Sequence, residues 1–407
     1  MPSIIETPYQ FRITHEEEPL PEHRPIKGTV FAHLDFVLTG MVMTMLGPIL
    51  PALSARWNLT DMQAGGLFFA QFASSCIGML ISGLMVQRLG YRLTLMAGLF
   101  FMAVGVGLLG HANWTLGIIG VCIFGIAFGT NTPATNLFVA DANAPKSAPA
   151  LNLLNSSWGI GAMSCPLIVA LLQRTHHVPF FLYGLTTALA ALVICLTQVR
   201  FSTDKATAIV QQSSNETPIA WRHRLLPFVL MLFFAYVGSE AAVGGWVASY
   251  AKRIDSVSST FWAVTPAFFY GALLVGRATA PLILRKLEET KLATLGTTLA
   301  SIGIATILLA KTMPMVVIGA SLSGLGLASI YPIQISLLSR WFGEAIKKLS
   351  GIIFATGNLG GAVLPWLVGL ISTRVGSLRT GLMIPLLGAV GMLAFYLAHP
   401  SAKTRQS

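Results

Sequence analysis

Three charged side chains stand inside long apolar runs of the chain: Asp35, Glu240 and Arg277, with Asp141 near the end of another run. A charge held at the middle of a lipid bilayer costs about 3 kcal/mol even on lenient scales, so each needs a partner or a purpose. Glu240 lies about 15 residues into its run, roughly 22 Å along a helix, which places it near mid-bilayer. Its neighbours Ala241, Ala242, Val243 and Gly244 offer little polar solvation, so it is a candidate to carry a proton. The competing reading is a structural ion pair with Arg277, one apolar run further on. Asp35 is the second proton-coupling candidate. It lies about seven residues into its run and is expected to sit near enough to the interface to be wet, with His33 beside it as a possible relay.

The same runs carry amides and aromatic rings: Gln71, Asn131, Asn136, Asn155, Gln334 and Asn358, with Trp158, Trp246, Tyr250, Tyr270 and Tyr331. A neutral polar solute needs such donors, acceptors and flat apolar faces. Gln71, Asn131, Asn136, Asn155, Trp158, Trp246, Tyr270, Gln334 and Asn358 are the expected substrate contacts. Each amide equally suits helix–helix bonding, and Trp246 with Tyr250 suits an interfacial belt. Of these, Asn131, Asn155, Trp158 and Asn358 are expected to face a central cavity, because an amide in hydrocarbon leaves its hydrogen bonds unmade.

These residues need membrane helices to position them. The 407-residue chain is 54% hydrophobic and only 10% charged, where a soluble domain carries roughly 25% charged residues. Apolar runs of bilayer-spanning length fall at about residues 28–53, 63–87, 93–111, 115–139, 150–172 and 178–199, then at about 225–250, 260–284, 291–311, 314–339, 348–371 and 378–398. They predict an all-α integral membrane fold of about twelve transmembrane helices. The expected division is an N-terminal tail over about 1–27, six helices over about 28–200, a polar linker over about 201–223, six helices over about 224–400 and a tail over about 401–407. The first 27 or so residues, with Glu16, Glu17 and Glu18 in a row, lack the pattern of a signal peptide.

The net charge of +11 follows topology rather than nucleic acid. With the N-terminus inside, the inner connections hold about 18 basic residues and the outer ones about 7, which predicts both termini on the cytoplasmic side; the expected location is a cell membrane, the inner membrane of a bacterium. Cys76, Cys122, Cys165 and Cys195 lie in apolar runs at no metal-ligand spacing, so neither disulfide nor metal is expected. No phosphate-binding glycine loop, zinc pair or nucleophile elbow is present, which argues against an enzyme, and no cofactor is expected.

The halves repeat. Gly125 and Pro133 recur as Gly324 and Pro332, and Gly161 and Pro166 as Gly360 and Pro365, at an offset of about 199 residues. Gly40 and Gly47 recur as Gly238 and Gly245 at nearly the same offset. This predicts two pseudo-symmetric six-helix bundles able to rock about a central site. Between the second and third runs stands Gly83-Leu-Met-Val-Gln87-Arg88-Leu-Gly90-Tyr91-Arg92. It resembles the signature loop of the major facilitator superfamily, with Gln87 where that family usually has aspartate and the final basic residue displaced to Arg92. The resemblance implies that Gly83, Arg88, Gly90 and Arg92 form a cytoplasmic latch between the halves. The stretches Tyr236–Tyr250 and Leu151–Pro166 resemble the branch containing the fucose, glucose and galactose–proton symporters. That branch usually has acids in its first and fourth helices; the fourth here has Thr130, Asn131, Thr132 and Asn136.

The resemblance implies a secondary active transporter. A small polar solute, a sugar or glycoside, would move by alternating access with a proton, or with sodium, through a monomer in the lipid bilayer. The alternative is a drug–proton antiporter or other organic-solute exporter of the same superfamily. The scarcity of intramembrane arginine argues against anions.

Overall fold

The computed structural model describes residues 26–111, 113–144, 147–173, 178–198, 225–254, 260–342 and 346–398. The predicted linker and C-terminal tail lie outside these, as does the N-terminal tail except for Ile26 and Lys27, which begin the first helix. In chain order the helices are α1 (Ile26–Thr44), α2 (Leu46–Trp57), α3 (Asp61–His111), α4 (Trp114–Ala142), α5 (Ser147–Gln173), α6 (Val178–Thr197) and α7 (Leu226–Ile254). A 3₁₀ turn (Phe261–Val264) then leads into α8 (Thr265–Ile283), α9 (Glu289–Leu309), α10 (Met313–Leu327), α11 (Ile330–Phe342), α12 (Ile346–Val375), α13 (Leu378–Gly381) and α14 (Met383–Ala398). No strand occurs among the described residues.

Twelve membrane spans follow from this order. α1 and α2 are one span bent by 42° at Met45. α3 is 51 residues long, about 76 Å if straight and too long for one bilayer crossing. It folds back at Gly90, where φ 76° and ψ 173° break the helix, so it supplies the second and third spans. A positive φ of this size suits a residue without a Cβ. α10 with α11, and α13 with α14, are single spans broken near Ala328 and Leu382. Residues predicted to start or stop helices fall within a few positions of the observed ends.

The repeated glycines make the same contacts in each half. A Cβ at Gly161 would lie 1.9 Å from the Val37 carbonyl oxygen, joining α5 to α1. Its counterpart Gly360 would meet the Phe234 carbonyl oxygen at 2.0 Å, joining α12 to α7. Gly125 presses on Ser74 of α3, and Gly324 on the Phe269 carbonyl of α8. Lipid supplies no hydrophobic drive between helices, so close backbone approach at small residues is how these bundles gain packing energy. The two six-helix bundles, α1–α6 and α7–α14, then meet along three seams: α2 with α7, α3 with α12, and α5 with α8.

With an even number of spans, Ile26 and Ala398 lie at one end of the molecule, here termed proximal; the other is distal. The seams close the distal half. Gly47 packs on Gly244, Phe68 on Gly245, Phe72 on Gly361 and the Trp366 backbone on Gly65. At the proximal end neither α4 nor α5 packs extensively on α10 or α11, and Asn152 and Asn155 of α5 are exposed. The molecule is open proximally.

Placing a methyl at Gly161 or Gly360 is expected to cost about 1–3 kcal/mol by overpacking, with a fall in melting temperature of several degrees. Gly184→Ala, where nothing lies within 4 Å of the added carbon, should leave it unchanged. Thermal unfolding of detergent-purified protein, followed by size-exclusion chromatography, checks this.

Candidate functional site

Two acids occupy the two halves in different ways. Asp35, on α1, is 2% exposed, which corrects the expectation of a wet interfacial carboxyl. α1 turns it inward against α4, where Asn131 Nδ2 donates to both carboxylate oxygens at 2.7 and 2.9 Å. Thr135 Oγ1 donates to Oδ2 at 2.6 Å, and Thr39 Oγ1 to Oδ1 at 3.2 Å. The set follows from spacing: Thr39 is one turn from Asp35, and Thr135 one turn from Asn131, so each pair shares a helix face. Gly98 of α3 makes room behind Asn131, since a Cβ there would approach its Oδ1 to 2.8 Å. No cation bonds to Asp35 among the described residues. Thr135 Oγ1 also lies 3.0 Å from the Asn131 carbonyl oxygen. Its hydroxyl can donate to the carboxylate, or turn to that carbonyl and accept a proton from the acid, so the carboxyl itself is satisfied in both protonation states.

Glu240, on α7, is paired. Arg277 Nη2 of α8 lies 3.5 Å from its Oε2 and also donates to Tyr236 Oη at 3.1 Å. The two side chains remain 16% and 26% exposed. The guanidinium carbon sits 5.9 Å from the ring centre of Trp158 on α5, so this contact crosses between the halves. Tyr331 packs against Tyr236, one helix turn from Glu240, with ring centres 5.7 Å apart and planes tilted by 31°. The expectation that Glu240 has little polar solvation is therefore corrected: a cation on the next helix supplies it. Tyr236 and Tyr331 complete an aromatic wall; Tyr331 is among the rings read from the sequence, whereas Tyr236 is not singled out there. The signal for Tyr236 was its position four residues before Glu240.

The remaining residues divide by exposure. Asn155, Trp158, Asn136 and Asn358 are at least partly exposed. Among the described residues Asn155 bonds its own helix, at the Leu151 carbonyl 2.8 Å away, and Asn136 likewise bonds the Thr132 carbonyl at 2.9 Å. Asn358 crosses between the halves, donating to Met79 Sδ at 3.2 Å. Gln71, Asn131, Trp246 and Gln334 are expected to touch substrate but are fully buried. Gln71 Nε2 donates to the Met43 carbonyl at 2.9 Å, Gln334 Nε2 to the Leu232 carbonyl at 3.3 Å, and Trp246 Nε1 to the Pro365 carbonyl at 2.9 Å. In this conformation these donors are taken up by protein acceptors, while Gln71 Oε1, Asn131 Oδ1 and Gln334 Oε1 have no hydrogen-bond partner among the described residues. Tyr270 is buried beside Gly244. His33 Nδ1 lies 2.8 Å from Ser157 Oγ and does not reach the Asp35 cluster by a hydrogen bond.

The signature loop does not bridge the halves here. Arg92 donates to the Leu196 and Thr197 carbonyls, capping the end of α6 in its own half. Arg88 is exposed without a bonded partner among the described residues, and a Cβ at Gly83 would meet nothing within 4 Å. Tyr91 instead donates to Asp141 Oδ2 at 2.5 Å, tying α3 to α4.

Comparison with known proteins agrees with this architecture. The profile of the Major Facilitator Superfamily matches residues 36–308. Among curated proteins, the Glucose/mannose transporter GlcP of Bacillus subtilis is 23% identical over 393 residues, covering 94% of this chain and 96% of that one. The Glucose/galactose transporter of Brucella abortus is 23% identical, covering 89% and 91%. The Sodium-dependent glucose transporter 1 of Danio rerio is 24% identical, covering 84% of this chain and 63% of its own. Among solved structures, the nucleoside transporter NupG superposes with TM-score 0.72 at 13% identity, covering 92% and 98%. The outward conformation of FucP gives 0.63 at 19% identity, covering 92% and 99%. A bacterial homologue of Spinster, inward-facing and unoccupied, gives 0.71 at 14%, covering 93% and 97%.

Removing Asn131 alone leaves the buried carboxyl of Asp35 with its two threonine donors and without its amide. Asn131→Leu is expected to destabilise by about 1–3 kcal/mol, and the double variant Asp35→Leu with Asn131→Leu to recover much of the loss. A double-mutant cycle in thermal stability measures the coupling.

Proposed function

Because the chain belongs to the Major Facilitator Superfamily, we propose that this multi-pass membrane transporter moves a neutral sugar by alternating access, coupled to a proton held by Asp35. One observation carries the coupling: a buried carboxyl bonded by three neutral donors, with no cation beside it among the described residues and a hydroxyl able to serve either protonation state. The amide N–H of Asn131 points at the carboxylate, and a donor hydrogen there opposes a sodium ion in the same place. Glu240 is the weaker proton candidate, since its charge is already balanced by Arg277.

The solute site lies where the halves meet, bordered by Trp158 and Asn155 of one half and Glu240, Arg277 and Tyr331 of the other beside the Trp158–Arg277 contact, with Asn358 and Asn136 near it. The acid and base cancel, so the site favours a neutral solute. Glu240 offers acceptors and Arg277 donors to hydroxyl groups, and Trp158 an apolar face to a sugar ring. The curated relatives are named as glucose, mannose or galactose transporters, which fits this chemistry. The lysine and arginine bias supports a cytoplasmic proximal end, and on that reading the described conformation faces inward. Gln87 and Arg88 would then meet the other half only when that side closes.

Reconstituted protein tests the two roles separately. Asp35→Asn should lose accumulation driven by a pH gradient, about tenfold or more, while solute exchange at equal concentrations persists. Accumulation driven by a sodium gradient alone would overturn proton coupling. Glu240→Gln and Arg277→Gln should each raise half-saturation for a hexose by about ten- to a hundredfold, through loss of a charged hydrogen bond. Unchanged half-saturation in both would remove the pair from the solute site.

A further inference from the structure

At the distal end one carboxylate is held from two sides. Asp61, the first residue of α3, belongs to the N-terminal half. Its Oδ1 accepts from Arg253 Nη2 at 2.5 Å, near the end of α7, and its Oδ2 accepts from Ser372 Oγ at 2.5 Å, near the end of α12. The backbone N–H of Met62 donates to Thr373 Oγ1 at 2.8 Å. Gly369 lies one turn before Thr373, and a Cβ there would come within 2.2 Å of the Asp61 carbonyl oxygen. The start of α3 is thus sunk into the other half. Asp61–Arg253 is the one ion pair between the halves among the described residues. At the opposite end of the same span, Gln87 and Arg88 are exposed and, among the described residues, bonded to nothing across the gap.

We propose that Asp61 is the clasp of the distal gate: its bonds to Arg253 and Ser372 hold that end shut, and their transfer to water is the step that lets it open. The inference rests on alternating exposure of the site, and on neither the solute nor the coupling ion. Arg253 is 46% exposed, so water competes for it, and the pair binds weakly enough to release. Two conformers of a carrier differ by a few kcal/mol, so a contact present in only one of them sets the balance.

Spin labels at Ala55→Cys and Thr312→Cys report the distal opening. Both positions are exposed, and they lie in different halves. The background has Cys76, Cys122, Cys165 and Cys195 replaced by alanine. Double electron–electron resonance should show a dominant short distance in the parent. Asp61→Asn should raise the longer-distance population by about tenfold relative to the short one, equivalent to about 1.4 kcal/mol. Ser372→Ala should shift it the same way by less, and serves if Asp61→Asn does not fold. Exchanging the charges, Asp61→Arg with Arg253→Asp, should restore the short distance. If both single variants keep the parent distribution, while added hexose still produces the long distance, the clasp is wrong and alternating access stands. If no variant or solute ever produces a second distance, alternating access itself falls.

Discussion

Lipid gives no reward for bringing two apolar helices together, so everything in this molecule rests on how closely backbones can approach. Glycines set that approach. Gly161 on Val37 and Gly360 on Phe234 bring α1 to α5 and α7 to α12 at backbone contact. Those approaches position Asp35 and Glu240, because α1 and α7 are the helices that carry them. The same device joins the halves, where Gly47 meets Gly244 and the rings of Phe68 and Phe72 lie against Gly245 and Gly361. A side chain at any of these points would separate helices whose polar groups rely on one another.

The duplicated halves hold their acids differently. In the first, an acid is enclosed with an amide and two hydroxyls and meets no cation among the described residues. In the second, an acid is matched by an arginine at 3.5 Å, left partly open, and walled with tyrosines. A carboxyl without a counter-charge changes the net charge of its surroundings when it takes a proton. A paired one presents donors and acceptors without a net field. The first arrangement suits an energy-coupling role and the second suits recognition, and Trp158 over Arg277 is where they touch.

Much of the architecture was legible because its causes are local. Hydropathy alone marks the spans, and the offset between Gly161 and Gly360 marks the duplication, since each half repeats one set of helix contacts. The site was legible only in part. Asn131 and Asn155 have the same side chain and similar surroundings in sequence, yet one is buried against Asp35 and the other exposed. Which face of a helix meets its neighbour is decided by rotation of whole helices, and a chain apolar on nearly every side carries little periodicity to report it. Asp35 was misplaced for a related reason. Residues counted from the start of a span measure depth along the bilayer, whereas its burial comes from α4 lying beside it. Asp61 gave no signal, because its partners lie about 190 and 310 residues away in the sequence and no pattern joins them.

The turn at Gly90 joins the second and third spans through a single non-helical residue. A longer loop would let the two arms shear independently; this joint has no slack to absorb such a displacement. α3 therefore behaves as a stiff elbow. One arm reaches Asp61 at the distal face, and just past the bend Arg92 grips the last carbonyls of α6. The contacts of Asp61 at one face and those of Arg92 with α6 at the other are therefore joined by one continuous stretch of helix broken at a single residue.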